Sequence, residues 1–484
     1  MAANTTDATA QQQQIQETVA ATAAASPSGF RSHLPDLTAP RFQALAAADA
    51  HSHARELLEH RRPPWLHGLY EHWMQLLREP FRGVTSDGVV KPGLYGLRDE
   101  GVDVAAILER ARRVVDMVEE IDAAGAGAGA AASSSASNNT TATSLLRDRT
   151  VLHIDSPEWR TWSNPEFLIS NKGIRLDEWP ALQEPVMAVL KATLSPEGYD
   201  KAVAAMRINA FLGQLVNGTK VMNEWSYNFV LFGEPAMSSS SPGSGDVGGC
   251  RPWGWALYGH HLCLSVFLVG TQIVVSPWFT GAEPNMIDDG PWKGTRILVR
   301  EEELGLQLIR SLGSDDKLQL QQQQAIVYTQ MKDPAMPKGR WNHDDQRHLC
   351  GAYRDNRVVP YEGVKVADME PRQVALVEGI LGEYLLYLPA RSRELKMQDV
   401  RRWYAETYFC WIGGTGDEDP FYYRIQSPVV LVEFDHHSGV FLNNEQPAKF
   451  HIHTLLRTPN GGDYGMALRR QVTSQVEQGY LWEG

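Results

Sequence analysis

The sequence predicts an α+β fold: a helical N-terminal half packed on an antiparallel β-sheet core, with helices interspersed among the later strands. Three observations predict it. Up to about residue 212, apolar side chains recur at three- and four-residue spacing. Beyond residue 250, runs rich in Val, Ile, Leu, Phe and Tyr take over, at strand length. Turn residues such as Gly270-Thr271 and the stretch from Ser438-Gly to Pro447-Ala separate those runs as hairpins would.

The elements follow in order. Ala54-Arg-Glu-Leu-Leu and Leu66 to Leu77 read as two helices, divided by Pro63-Pro64. Val102 to Ile121 is a third, with Val104, Ile107, Leu108, Ala111 and Val114 on one face. Trp179–Leu194 and Gly198–Leu212 flank Ser195-Pro-Glu-Gly, which caps and turns. Trp255–Val269 and Gln272–Phe279 read as a hairpin around Gly270-Thr271, with Gly259-His260-His261-Leu inside its first strand. Helices are expected over Glu301–Leu312, Pro371–Leu388 and Gln398–Tyr408, and strands over Tyr422–Gln426, Val429–His437 and Lys449–Arg457. Met466–Tyr480 closes as an amphipathic helix.

Composition narrows the function classes. A formal net charge of −13 in 484 residues argues against nucleic acid or an anionic membrane as main partner. No stretch reaches the ~18 apolar residues of a membrane span, and no basic segment precedes an apolar one at the N-terminus. A cytoplasmic location is the expectation, supported by only four cysteines, none in a C-x-x-C pair. Met1 to about residue 40 begins as an Ala/Thr/Gln-rich, disordered tail. Low-complexity stretches at about 123–145, 237–249 and 317–324 cannot bury apolar surface and read as loop inserts.

Six of the fifteen histidines lie in two short regions, His260-His261 and His436-His437 with His451 and His453. Imidazole and carboxylate concentrated on strands are the raw material of a metal or acid–base site. Side chains alternate along a strand, so Glu433, Asp435 and His437 share one face and His451 and His453 share another. A hairpin symmetric about Asn443 sets Asp435 opposite His451 and Glu433 opposite His453; a one-residue slip brings in His436. Arg457, four residues past His453, is expected on the same face, as an anchor for an acidic group or as a partner of Asp435 or Glu433. Trp253 and Trp255 share a strand face and are candidates for a pocket wall, against a reading as plain core. Glu224 and Glu283 are further candidate carboxylates. An ion-paired structural network of the same histidines and acids is the competing reading.

Missing motifs bound the chemistry further. There is no P-loop, no G-x-G-x-x-G opening a helix, no G-x-S-x-G and no H-E-x-x-H, so no nucleotide cofactor is indicated.

A set of motifs resembles an uncharacterised domain of unknown function found in bacteria and fungi. It runs from Pro80-Phe-Arg-Gly through Asn164-Pro-Glu-Phe, Phe232-Gly-Glu-Pro, Trp253-Gly-Trp with Gly259-His-His-Leu, Gly281-Ala-Glu-Pro and Gly294-Thr-Arg-Ile-Leu to His451-Ile-His-Thr and Asp463-Tyr-Gly. Phe450 stands where many members of that family have Asn. The resemblance bridges the first low-complexity stretch, which implies one large domain over 41–484. It implies no reaction.

The leading expectation is a metal-dependent hydrolase or oxidoreductase acting on a small polar metabolite. His451 and His453 would hold zinc or iron with Asp435 and one of His260 and His261. Glu433 or Asp435 would serve as base, Arg457 and Glu224 would bind substrate, and Trp253 and Trp255 would wall the pocket. The alternatives are a metal-free acid–base enzyme and a non-catalytic small-molecule binding protein. The oligomeric state is left open.

Overall fold

A computed structural model describes residues 29–132, 145–236, 251–313, 316–337 and 347–472. Of the loop insert expected at about 123–145, residues 123–132 instead continue the helix that begins at Val104, and 133–144 lie outside the described residues, as do the insert at 237–249, residues 1–28 of the expected tail and the end of the C-terminal helix. Among the described residues twelve α-helices precede and interleave a twelve-stranded, mostly antiparallel sheet, the α+β fold expected from sequence.

Helices α1 (Pro40–Ala47), α2 (Ala50–Leu58), α3 (Pro64–Leu77), α4 (Val104–Ala132) and α5 (Leu146–Thr150) come first. Two short strands, β1 (Val151–Leu152) and β2 (Ile174–Arg175), precede α6 (Pro180–Thr193) and α7 (Pro196–Leu215). Ser195 caps α7 as its position foretold, its side chain accepting from the Gly198 N–H.

The sheet then builds in two four-stranded meanders. The first is β3 (Tyr227–Phe232), β4 (Trp253–Gly259), β5 (Leu262–Val269) and β6 (Gln272–Ala282). Helices α8 (Val299–Ser311) and α9 (Asp316–Ala325), strands β7 (Ile326–Tyr328) and β8 (Val364–Lys365), and helices α10 (Pro371–Tyr384) and α11 (Ala390–Arg401) intervene. The second meander is β9 (Tyr408–Gly413), β10 (Phe421–Gln426), β11 (Leu431–His437) and β12 (Ala448–Arg457), followed by α12 (Met466–Val472). The two meanders join along their last strands, β6 against β12, so the order runs β3-β4-β5-β6-β12-β11-β10-β9. Parallel β1 and β7 extend its two ends.

Both faces of the sheet are covered, which explains why strands such as Leu262–Val269 are apolar throughout rather than alternating. On one face Trp253, Trp255, Trp278, Phe434, Ile452 and Leu456 pack with the apolar stripes of the long helices. On the other, Phe279, Leu431 and Leu455 meet Trp159, Trp162, Tyr353 and Tyr464.

Several boundaries differ from the sequence reading. The glutamine-rich run at 317–324, expected as a loop, lies within α9. Within the expected N-terminal tail, Gly29–His33 forms a 3-10 turn that buries Phe30 in the main core. The helix expected over Gln398–Tyr408 begins earlier, at Ala390, and Tyr408 already opens β9. The largest change is at His260-His261, which are not strand residues. They form the two-residue turn between β4 and β5, with Gly259 paired to Leu262 and His261 at φ 61°. That left-handed region is one in which His is several-fold enriched among non-glycine residues. Among the described residues no helix is long and apolar enough to cross a membrane.

Candidate metal centre

His451 and His453 stand two apart on β12 and so point to one side of the sheet, the side away from the long helices. The pairing of β12 with β6 places His453 opposite Gly281, and the Gly281 N–H donates to the His261 carbonyl at 2.8 Å. Gly281 therefore joins the β4–β5 turn to β12. It has no side chain because there is no room for one. A Cβ there would lie 2.8 Å from Cδ2 of His261, 3.0 Å from Cδ2 of His453 and 3.1 Å from the Ile452 carbonyl.

The result is a convergence of three ring nitrogens. His453 Nε2 lies 3.1 Å from His451 Nε2 and 3.3 Å from His261 Nε2. One ligand atom from each residue lies within 4.8 Å of the others, and the three side chains form a group that could hold a metal ion. All three residues are buried, with exposures of 2% for His261, 0% for His451 and 1% for His453. Burial, with the neighbouring imidazoles, pushes His261 and His451 well below the usual histidine range. Both are therefore neutral near pH 7, the form that offers a lone pair to a cation.

Two more imidazoles border the triad. The His437 ring centroid lies 4.6 Å from that of His451 and 4.4 Å from that of His453, with its Nδ1 on the Ser438 carbonyl at 2.7 Å. The His348 ring lies 6.2 Å from the His453 ring. Alternation along β11 carried a signal for His437, on the same face as Glu433 and Asp435. His348 carried none, because the loop that delivers it is distant in sequence.

The carboxylates foreseen on β11 do lie on the histidine face, and they hold that loop. Glu433 accepts the Leu349 N–H at 2.8 Å, the Cys350 N–H at 2.9 Å and the Tyr422 hydroxyl at 2.7 Å. Asp435 Oδ2 accepts the Arg347 N–H at 3.0 Å. A buried carboxylate has to be hydrogen-bonded, and here the bonds are made to a loop backbone. Asp435 pairs with His453, not with His451, and Glu433 pairs with Leu455. The register is two residues from the expected one, which leaves every side chain on its expected face. The alternative residue His436 faces the other way, its Nδ1 accepting from the Phe421 N–H at 3.0 Å.

Glu283 lies 3.7 Å from His451 Nδ1. That is ion-pair range but not a hydrogen bond. Its carboxylate accepts N–H groups of Val440, Phe441 and Leu442 at 2.9 to 3.1 Å. Burial nevertheless dominates and pushes it up to about 7.

His260 stacks on His261, with centroids 3.9 Å apart, instead of facing the opposite way as a strand residue would. Its Nδ1 meets Asn209 Oδ1 of α7 at 2.9 Å, and Asn209 in turn donates to the Asn223 carbonyl and Ser226. His260 thus buttresses His261 from behind.

The remaining predicted residues are elsewhere. Trp253 and Trp255 are fully buried among the helices on the opposite face, and Trp255 Nε1 donates to Thr193 of α6 at 3.3 Å. They are core, not a pocket wall. Glu224 is partly exposed and pairs with Arg207 at 3.4 Å. Arg457 shares the histidine face but is spent in a closed network. It donates to the carbonyls of Cys350 and Gly351 at 2.9 and 2.7 Å, and pairs with Asp355 at 2.8 Å and Asp463 at 3.3 Å. Asp355 is shared with Arg160, and Asp463 with Ser276 and Thr458.

With this geometry in view, the comparisons with known proteins can be placed. Residues 126–466 match a family model described as a protein of unknown function, DUF3500. The chain belongs to that family. The match spans both meanders and every histidine of the centre. No curated protein and no solved structure matches the chain.

Proposed function

We propose that the chain is a metal-dependent enzyme acting on a small polar metabolite, with zinc or iron held by His261, His451 and His453. One observation carries the reading: the spacing of the Nε2 atoms. With zinc–imidazole bonds of about 2.0–2.1 Å, neighbouring ligands at a tetrahedral ion stand about 3.3–3.4 Å apart. The separations of 3.1 and 3.3 Å fit that edge. Three protein ligands leave a fourth position for water or a substrate oxygen, the arrangement by which a divalent ion generates hydroxide or polarises a carbonyl. In this reading His437, whose ring borders those of His451 and His453, and Asp435, paired with His453 across β11 and β12, would be the groups available to hold or move a proton beside the ion.

The burial of the triad favours one other reading, a structural ion that pins the β4–β5 turn to β12. Metal analysis and chelation test both. Purified full-length protein expressed with zinc and iron supplied should carry about one ion per chain, and a His453→Ala variant should carry far less. Below about 0.1 ion per chain the metal reading fails. Removal of the ion by chelator should lower the unfolding midpoint but leave the chain folded for a catalytic site, whereas loss of a structural ion should release the β4–β5 turn, read as faster amide exchange there.

A further inference from the structure

A cavity of about 300 Å³ opens between the irregular segment 94–100, strand β6 and helix α11. Leu94, Leu97, Ile273, Leu388 and Leu456 form the apolar part of its wall. Ser392, Lys396 and Asp399 of α11 line it too, beside Arg98, Glu100 and Arg402. Ser392 and Lys396 are four residues apart, one helical turn, and so present their heads side by side.

Among the described residues neither head has a carboxylate partner. Ser392 is 1% exposed, and its hydroxyl has no hydrogen-bond partner among the described residues. Lys396 Nζ donates to the Val429 carbonyl at 2.9 Å and lies 5.5 Å from the centroid of the Tyr95 ring. Among the described residues no carboxylate comes within ion-pair distance of it. The cavity's acids are already engaged: Glu100 by Arg98 at 2.8 Å, and Asp399 by Arg98 at 2.7 Å and Arg402 at 3.0 Å. Two cations against two anions leave the Lys396 charge in excess. Burial pushes the ammonium down to about 8, with Arg98 adding to the fall and Asp399, Glu100 and Asp463 opposing it.

We propose that this cavity binds a monocarboxylate with an apolar body, its carboxylate held by Lys396 and the Ser392 hydroxyl and its chain lying against the leucines. An ammonium donor beside a hydroxyl donor complements a carboxylate, and a single negative charge brings the cavity to neutrality. At roughly 30 Å³ per heavy atom, the volume share of a liquid water, the space takes about ten non-hydrogen atoms. Octanoate has that size. The site is separate from the histidines: Leu456 is three residues beyond His453 on β12, about 10 Å along the strand and on its opposite face.

Calorimetric titration of the full chain with octanoate, 1-octanol and inorganic phosphate tests the proposal. Octanoate should bind, and 1-octanol and phosphate should each bind at least about tenfold more weakly. Lys396→Met, which keeps an unbranched apolar stem and the fold, should weaken octanoate at least about tenfold, and Ser392→Ala by a smaller factor. The His453→Ala variant should bind octanoate as the parent does, which separates this site from any metal. Equal binding of octanoate and octanol, tighter binding of phosphate, unaltered affinity in the Lys396→Met variant, or no octanoate binding up to about 10 mM would each overturn it.

Discussion

Gly281→Ala tests the candidate metal centre without removing a ligand. The added methyl would sit 2.8 Å from His261 Cδ2 and 3.0 Å from His453 Cδ2, with the Ile452 carbonyl at 3.1 Å closing the third side. Ordinary carbon–carbon contact begins near about 3.5 Å, so each ring has to retreat by roughly half an ångström or more. The carbonyl belongs to the β6–β12 ladder and cannot yield. Both rings must therefore shift from the positions that bring their Nε2 atoms within 3.3 Å. Metal–ligand distances tolerate only about 0.2 Å. The substitution should therefore abolish stoichiometric metal binding while costing about 1–3 kcal/mol of stability, the usual price of overpacking a core. Gly68→Ala is the control, because a Cβ there meets nothing within 4 Å and it lies in α3. It should keep the metal and gain about 0.5–1 kcal/mol. The measurements are metal content per chain by mass spectrometry and stability by urea unfolding. If the Gly281→Ala protein stays folded and retains a full complement of zinc or iron at parental affinity, the three rings do not share an ion.

Arg457→Lys should destabilise the protein by about 3–5 kcal/mol in denaturant titration, because one ammonium cannot replace the planar fork that spans Asp355, Cys350 and Gly351; a loss below about 1 kcal/mol would mean the network is slack. Glu433→Gln places an amide where two backbone N–H groups and a hydroxyl need an acceptor, and should cost about 2–4 kcal/mol while speeding amide exchange at Leu349 and Cys350. Lys396 supplies a pH test. Its folded value of about 8 lies below the unfolded 10.5, so the unfolded chain holds more protons between those limits. Its charge therefore penalises folding below pH ~8, and stability rises with pH from about 8 to 10.5 as that penalty is relieved. Arg98, Glu100, Asp399 and Asp463 act on it from neighbouring segments, and its partial exposure reduces the effect. Lys396→Met should be about 1–2 kcal/mol more stable than the parent at pH 7, with the gain shrinking toward pH 10.5. A constant or growing gain would refute the assignment.

How much of this was legible in the sequence depends on what each residue needed to be placed. His451 and His453 needed only alternation along one strand, and they meet as expected. Asp435 and Glu433 needed the hairpin register as well. The ladder shifts between His436 and His437, and the pairing moved two residues from a simple symmetric turn. An even shift preserves the face, so the acids still came to the right side. Trp253 and Trp255 needed to be assigned to one of two faces, and a sheet covered on both sides gives no polarity by which to choose. Arg457 lay on the correct face, yet its partners Asp355 and Asp463 arrive on segments that no local pattern ties to β12. His261 was misread as a strand residue because His-His lacks the Asn-Gly or Asp-Gly signature of a two-residue turn. Gly281 carried the converse signal: a glycine within an otherwise bulky strand marks a close approach of something else.

The acids around the centre have a positioning part. Glu433, Asp435 and Glu283 accept hydrogen bonds from backbone N–H groups of residues 347–350 and 440–442 and from a tyrosine hydroxyl. Those bonds fix the segments that enclose the triad. The ring nitrogens then face one another, with His261 and His451 held neutral by burial and by each other. His453 Nε2 lies within hydrogen-bonding distance of both neighbours, and one ring nitrogen can donate one bond or accept one. A single cation at the centre would engage all three lone pairs at once.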